Sequence, residues 1–531
     1  MSGAVAREFR SRSGKRSSPT LSWPGREWGA GEFNPAERDA GEAVRLEIEE
    51  SVSGASRSGL DRVDGRLIRG DALAVTRALL AEGLAGSADL VYVDPPFASQ
   101  TSYVHEARLD GAADGRVVRT LAYSDSWSAG LSRSSPPKAE RRPSREADDG
   151  ISAYLDMLAP RLEAASRLLA PTGTLWVHLD WRAAYLVRVV LDEILGRDHF
   201  LNEIVWRRAP NLGRQAASAQ FGRTLDTILV YGGPQARLVP PTRLEPIEKS
   251  SIRWDEEGRP FTTAPRGDYT DASIERLETE GRVYRAASGK VYIKYFLAKD
   301  DGGVWCRERR VDTLWTDVAP LRHSALEERT GFPTQKPNAL LNRIVRCASP
   351  EGGLVIDLFG GSGTTGAAAH ASGRRFILGD AGHVAIATAR ARLLRAGAGL
   401  SIERVAGVHP PEAPAPSVRV SFLPSNTVEL ELMTPREPLA WAVDPSHEPG
   451  ASFRAAWHSE RRPGAKTVPA DVVARVEAPP ADRQKRIAVR VYGDDGAIFT
   501  SIVHEVDGPH AGVDHAPAEP ETCRRGLDRA P

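Results

Sequence analysis

The chain has 531 residues, 41% of them hydrophobic, and 70 basic residues balance 70 acidic ones. That length exceeds one ordinary core, so two or more domains are expected, and zero net charge means that any nucleic-acid contact must rest on local patches. Three cysteines, Cys306, Cys347 and Cys523, form no CxxC or Cys/His spacing, which argues against a disulfide framework or zinc and fits a reducing cytoplasm; no apolar stretch approaches a membrane span, and the N-terminus lacks the apolar segment of a secretory signal.

Residues 1–60 are rich in Gly, Ser, Arg and Glu without a sustained period, and read as a disordered arm. Order is expected from Arg66-Leu67-Ile68-Arg69, a short strand closed by Gly70-Asp71, followed by a helix over 72–81. Leu90 to Val93 reads as a buried strand ending in Asp94-Pro95-Pro96-Phe97. The prolines stop strand and helix alike, which places Asp94 on a stiff loop at the carboxyl end of a strand, where open α/β sheets bind ligands. A rigid carboxylate, a proline carbonyl and a flat ring can grip a planar base by its amino group.

A polar stretch then runs to about Gly150, holding Tyr103, Tyr123, Asp125, Trp127 and the basic residues Lys138, Arg141, Arg142 and Arg145. Beside a ligand-binding loop it reads as a long irregular lid. Helices are expected over 154–169 and 181–195, with a strand over 174–179 between them, then strands over 202–207 and 225–231. The loop joining the last two carries Arg208, Asn211, Arg214, Gln215 and Arg223, residue types that pair with base edges and phosphates. From Gly233 to Leu326, aromatic residues (Tyr269, Tyr284, Tyr292, Tyr295, Phe296, Trp305, Trp315) interleave with Arg253, Arg276, Arg282, Lys290 and Lys294. That mixture suits nucleic-acid contact, and equally a small β-rich insertion with its own core.

Thr334-Gln335-Lys336-Pro337 precedes a helix with Leu340, Leu341, Ile344 and Val345 on one face. Leu354 to Asp357 is a strand running into Leu358-Phe359-Gly360-Gly361-Ser362-Gly363-Thr364-Thr365-Gly366, then a small-residue helix, a strand over 375–379 closed by Asp380, and a helix over 383–395. This is a nucleoside-binding βαβ half: glycines let backbone approach a ligand, and an acid closing the second strand can hold ribose hydroxyls. Gly361, Gly363 and Gly366 also fit a dinucleotide fingerprint, so a dehydrogenase is a competitor. Against it, Asp357 would crowd a pyrophosphate, the turn offers the hydroxyls of Thr364 and Thr365 but no basic group, and Asp94-Pro95-Pro96 has no part in hydride transfer. A P-loop is excluded because no lysine follows the glycines. An acid-lined pocket suits a cationic sulfonium with an amino-acid tail.

Taken together, Asp94-Pro95-Pro96-Phe97, Thr334-Gln335-Lys336-Pro337 and Asp357 to Thr365 resemble the three signatures of the DNA amino-methyltransferases, in the order of the beta group and of type III restriction-modification methylation subunits. The resemblance covers roughly residues 62–398. It implies a Rossmann-like, seven-stranded S-adenosylmethionine-dependent methyltransferase sheet of the α/β class, with circularly permuted motif order. The arm over 1–60 would be followed by a catalytic half over 61–232, a target-recognition insertion over 233–326 and a cofactor half over 327–398. A linker over 399–417, a small all-β module over 418–509 and a disordered tail over 510–531 would complete the chain.

By the same resemblance, Asp94, Pro95, Pro96 and Phe97 form the catalytic motif. Phe359, Gly361 and Gly363 match the loop at S-adenosylmethionine, with Asp357 and Thr364 beside them. Asp380 matches the ribose acid and Asp71 the acid near the cofactor adenine; Gln335 and Lys336 match the segment beside the methionine moiety. Phe97 replaces the commoner Tyr, and Leu358 stands where the family often has Pro. The implied reaction is site-specific transfer of a methyl group to the N6 amino group of an adenine flipped from double-stranded DNA, with cytosine-N4 as the alternative. A non-catalytic DNA-binding protein on the same fold is a further alternative. A ring-carbon cytosine enzyme is disfavoured, since its nucleophile usually follows proline and none of the cysteines does. A homodimer or a restriction subunit is a possible partner, no metal is implied, and the expected compartment is the cytoplasm.

Overall fold

The computed structural model describes residues 44–54, 63–97, 99, 101–109, 116–125, 146–210, 221–411, 415–423, 427–435, 438–448, 450–462, 470–477 and 486–504. Strands β1 (Leu46–Val52) and β2 (Gly65–Arg69) and helix α1 (Ala72–Ala81) lead into β3 (Ala88–Val93) and the hairpin β4 (Ser102–Leu109) and β5 (Arg116–Ser124). Helix α2 (Glu146–Ser166), β6 (Leu169–Leu179), α3 (Ala184–Ile194), β7 (Phe200–Arg207) and β8 (Leu225–Gly232) follow. An insertion comprises β9 (Thr242–Pro246), β10 (Arg253–Trp254), β11 (Pro260–Pro265), α4 (Asp271–Thr279), β12 (Val283–Arg285), β13 (Val291–Lys299), β14 (Trp305–Arg310) and β15 (Leu314–Trp315). The chain returns through α5 (Asn338–Ala348), β16 (Leu354–Asp357), α6 (Thr364–Ala371), β17 (Arg375–Asp380), α7 (His383–Arg395) and β18 (Leu400–Val405). It closes with β19 (Ser417–Leu423), β20 (Thr427–Thr434), β21 (Ala440–Asp444), β22 (Phe453–Ala455), β23 (Trp457–Glu460), β24 (Val473–Glu477), β25 (Arg486–Tyr492) and β26 (Ile498–His504).

One mixed sheet dominates, in the order β15-β7-β8-β6-β3-β16-β17-β2-β18-β1-β22. Its middle, from β6 to β18, is parallel throughout. A parallel sheet is covered on both faces, so its strands must be apolar on both sides. The alternation is plain in β3. Leu90 and Tyr92 face a core shared with Leu340, Leu341, Ile344 and Val345 of α5, while Val91 and Val93 face one shared with α1, α2 and α3. The apolar stripe of α5 is thus what seats the segment carrying Lys336 against the sheet.

Several expected boundaries move. The sheet has eleven described strands rather than seven, because both ends of the chain add to it. The arm expected over 1–60 contains β1, which pairs with β18; Ile48 is exposed and the register shifts between it and Glu50, so no apolar alternation marks the strand. The segment expected as a linker over 399–417 opens with β18, a strand of the main sheet. The irregular lid expected up to Gly150 contains the β4–β5 hairpin, paired from Ser102↔Ser124 to Leu109↔Arg116, and α2 begins at Glu146. Strand β6 starts at Leu169, so it takes in the last residue of the helix expected over 154–169 and the Pro171–Gly173 stretch ahead of the expected strand. The pairing is irregular there, and a Cβ on Gly173 would fall 2.3 Å from the Ala88 carbonyl oxygen. Between β8 and α5 the insertion forms a six-stranded sheet with its own small core of Ile274, Leu277 and Ile293. Trp127, the 138–145 basic run, Asn211, Arg214, Gln215, Cys523 and the 510–531 tail lie outside the described residues. No described helix is long and apolar enough to cross a membrane.

The C-terminal β segment is fastened to the main sheet. β22 pairs in parallel with β1. Behind that edge, Arg390 of α7 is buried and makes two hydrogen bonds, of 2.9 and 2.6 Å, to the Glu50 carboxylate. The Arg390 guanidinium also lies 3.8 Å from the centre of the Tyr492 ring, and the Tyr492 hydroxyl donates to Glu50. Burial alone would raise the Glu50 pKa, but the Arg390 charge holds it below the usual carboxylate range. Removing one member of a buried ion pair strands the other without solvent. Glu50→Ala is therefore expected to lower unfolding free energy by about 3–5 kcal/mol, read from guanidinium melts. Replacing Glu50 and Arg390 together with Leu and Met should cost less than the single change.

Candidate active site

Two loops leave the sheet side by side. β3 and β16 are parallel neighbours with Tyr92 opposite Asp357, so the loop 94–97 and the loop 358–363 emerge at the same carboxyl edge. A cavity of about 290 Å3 lies between them, roofed by the β4–β5 hairpin and walled by the 332–336 turn. Asp71, Asp94, Pro95, Pro96, Phe97, Gln335, Lys336, Asp357, Phe359, Gly361, Thr364 and Asp380 all line it. Among the expected residues only Gly363 does not.

Gly363 serves packing. It precedes α6 with φ of 76°, and a Cβ there would fall 3.0 Å from that of Ala389 in α7. Gly361 also has positive φ, 49°, and a side chain on it would press the Phe332 ring at 3.4 Å. Its amide donates to Asp380 Oδ2 at 2.8 Å, while Asp380 Oδ1 accepts from the Gly382 amide at 2.7 Å. Asp380 thus holds the glycine loop, and its enclosure raises its pKa against the pull of those two amides. Asp357 is 2% exposed, accepting from the Phe359 amide at 2.9 Å and the Thr365 hydroxyl at 2.5 Å. Burial pushes it up to about 7.

Three residues are placed differently from the simplest sequence reading. The Asp71 carboxylate caps α1, accepting from the Leu73 amide at 2.9 Å, and pairs with Arg161. The Gln335 amide is used within its own turn: Oε1 accepts from Thr330, and Nε2 donates to the Glu328 carbonyl at 2.7 Å. The Lys336 ammonium, expected beside a methionine moiety, is paired with Asp94 Oδ2 and sits 4.9 Å from the centre of the Phe97 ring. The other oxygen, Asp94 Oδ1, is buried without a hydrogen-bond partner among the described residues. A buried acceptor left unpaired costs about 1–3 kcal/mol and is a ready seat for a ligand N–H.

Other residues of the site carry no local sequence signature. Asp125, named in sequence only as part of a lid, is fully buried; its carboxylate accepts from the amides of Phe97 at 3.1 Å and Ser99 at 2.7 Å, fixing the backbone that follows Asp94-Pro95-Pro96. Tyr123 stacks between Tyr103 and Phe332, with ring centres 4.9 and 6.4 Å away, and its hydroxyl lies 2.9 Å from Thr334 Oγ1. Arg392 in α7 is buried behind the glycine loop, donating to Thr364 Oγ1 at 2.8 Å and Asn338 Oδ1 at 2.6 Å. An arginine in a helix that also holds Arg390 and Arg395 reads as a solvated face; only the fold shows it inside.

A strand-end acid, an aromatic ring and a glycine loop share one cavity at the carboxyl edge of an α/β sheet. A family model described as DNA methylase matches residues 88–390, more than half of the chain, and the chain belongs to that family. It is 27% identical over 342 residues to the type III restriction-modification enzyme StyLTI Mod subunit of Salmonella typhimurium, covering 56% of this chain and 48% of the relative. Similarity to the type II methyltransferase M.EcaI of Enterobacter cloacae is 27% over 253 residues, 43% of this chain and 54% of the relative. To the type II methyltransferase M2.DpnII of Streptococcus pneumoniae it is 51% over 238 residues, 44% and 64% respectively. The chain thus spans about half the length of the first two of these relatives.

Asp357 generates a pH dependence whose sign follows from its burial. Unfolded, the carboxyl ionises near 3.8; folded, it keeps its proton up to about 7. The folded state binds the extra proton between those values, so its contribution to stability is present at acid pH and is lost as pH rises through that window. Denaturation midpoints of the cofactor-free protein, measured from pH 5 to 8, should decline less steeply for Asp357→Asn than for the natural chain.

Proposed function

We propose that the protein is a site-specific DNA methyltransferase that uses S-adenosylmethionine to methylate the N6 amino group of adenine. The observation that carries this reading is the half-satisfied Asp94 carboxylate, set beside Phe97 in the same cavity as the glycine loop. The motif order, catalytic before cofactor, is then a permuted arrangement of the methyltransferase sheet, with the strands beyond β17 as additions. Adenine is favoured over cytosine-N4 because Asp, rather than Ser, opens the catalytic motif.

The cavity suits the cofactor. Gly361 leaves backbone open where a Cβ would press Phe332, and Asp71, Asp357 and Asp380 make the walls acidic, as a sulfonium with a nucleoside and an amino-acid tail requires. S-adenosylmethionine supplies an electrophilic methyl group. Asp357, Phe359, Gly361, Thr364 and Asp380 would hold it, with Asp71 at the adenine end.

The chain's own work is to present the nitrogen. The amino nitrogen of a nucleobase has its lone pair drawn into the ring. Asp94 Oδ1 and the Pro95 carbonyl accept its two N–H bonds, turning it toward tetrahedral geometry with the lone pair aimed at the cofactor. Phe97 stacks on the extruded base. Acceleration then comes from positioning and electrostatics, with no covalent enzyme intermediate. The Lys336 ammonium meets both elements, Asp94 and the Phe97 face, in the manner of the target amino group. Entry of the base requires it to withdraw from the ring.

Duplex DNA is the substrate in this reading. The aromatic and basic residues of the 233–326 insertion, including exposed Trp254 and Tyr269, offer a recognition surface. A restriction subunit is a candidate partner by likeness to the Salmonella Mod subunit.

Asp94→Ala is expected to cut methyl transfer at least about 10²-fold while leaving S-adenosylmethionine affinity near that of the natural chain. Tritiated methyl incorporation into unmethylated plasmid DNA and calorimetry test the two halves. Near-normal transfer would remove the loop from the chemistry. In the same assay, mass spectrometry of the digested DNA should find N6-methyladenine; N4-methylcytosine would select the alternative.

A further inference from the structure

The sheet beneath Phe97 is polar where apolar side chains would be cheaper. Tyr92, His178 and Asp226, from three adjacent strands, are 1%, 0% and 2% exposed. The Tyr92 hydroxyl is 2.8 Å from His178 Nδ1 and His178 Nε2 is 3.3 Å from Asp226 Oδ2, while Asp226 Oδ1 forms an ion pair, 2.8 Å from Arg208 Nε, without hydrogen-bond geometry. Buried polar groups of this kind are costly unless fully paired, and a paired set locks one geometry.

Ionised Asp226, paired with Arg208, only accepts, so a neutral imidazole at His178 carries its proton on Nε2. Nδ1 is then an acceptor, and the Tyr92 hydroxyl donates to it. The imidazole can neither flip nor tilt without breaking one of these bonds. Trp206 meets the imidazole edge-on at 5.8 Å. Against this fixed ring lies Phe97, centre to centre 5.9 Å with 30° between planes. The Phe97 backbone is separately pinned by Asp125. Main chain and ring of the catalytic aromatic therefore have independent supports, and Tyr92 itself lines the cavity.

We propose that His178, held in one tautomer by Asp226 and Tyr92, is a positioning residue for methyl transfer: it sets the height and tilt of Phe97, the surface on which the extruded base stacks. The role rests on the methyltransferase reading. It extends outward through Arg208, which is 38% exposed just beyond β7 and reaches the Arg223 carbonyl at 3.4 Å, so the support ends on the strand-connecting loop.

The test is a double-mutant cycle in the full chain. His178→Phe keeps a ring but removes both hydrogen bonds, and Phe97→Ala removes the group His178 is held to act through. Single-turnover transfer to unmethylated plasmid DNA should fall about 10²-fold in His178→Phe, with the dissociation constant for S-adenosylmethionine within about twofold of the natural chain's, as this proposal requires. In the Phe97→Ala background, adding His178→Phe should change the rate by less than about twofold, because coupled residues do not add. Multiplying losses would overturn the proposal, as would a His178→Phe enzyme at the natural rate. If His178→Phe does not fold, Asp226→Asn replaces it in the same cycle with the same criteria. An inactive natural chain would sink the methyltransferase reading itself; an active one with uncoupled variants sinks only the role of His178.

Discussion

Everything at the site depends on β3 and β16 lying next to each other in parallel. Tyr92 faces Asp357 across that pair, so two loops separated by about half the chain leave the same edge within reach of one small molecule. Parallel strands need crossovers, and here the connection between two adjacent strands contains β4 to β8, helices α2 and α3, the insertion, the segment ending in Lys336 and α5. The apolar face of α5 brings that long excursion back to the sheet. Loss of the pairing would leave both loops formed but without a common cavity.

The cavity is unusual in how many acids meet in it and how few are free. Asp71 caps a helix, Asp380 ties down the glycine loop, and Asp357 is enclosed with a proton near neutrality. Each does structural work that a ligand would share or displace. Asp94 differs, having one oxygen on Lys336 and one without a hydrogen-bond partner among the described residues. That asymmetry separates an acid that supports the site from one poised to act on something entering it.

The sequence made the central elements legible because apolar runs closed by Gly, Pro or Asp leave little choice. Leu90–Val93, Leu354–Asp357 and 375–380 sit in the sheet as expected, and the motif residues converge apart from Gly363. What escaped notice lacked local pattern. β1 is a charged strand near the sheet margin whose Glu50 is satisfied by Arg390 and Tyr492, each more than 300 positions away. Tyr92, His178 and Asp226 stand singly on separate strands, and Asp125 lies in a polar stretch without periodicity; their grouping is a product of strand order. The uses of Gln335 and Lys336 were likewise beyond spacing, because which partner a long side chain takes is decided by the folded surroundings.

Helix α7 turns Arg390 toward the C-terminal β segment and Arg392 toward the glycine loop, so one rigid rod is gripped at both sides. A cut made near residue 417, where composition suggests a boundary, would strip the partner strand from β1 and the Tyr492 ring from Arg390. The fragment left behind would carry a raw sheet margin and a half-solvated cation on the very rod that braces the glycine turn. For this chain, the minimal folding unit therefore extends well past its family motifs.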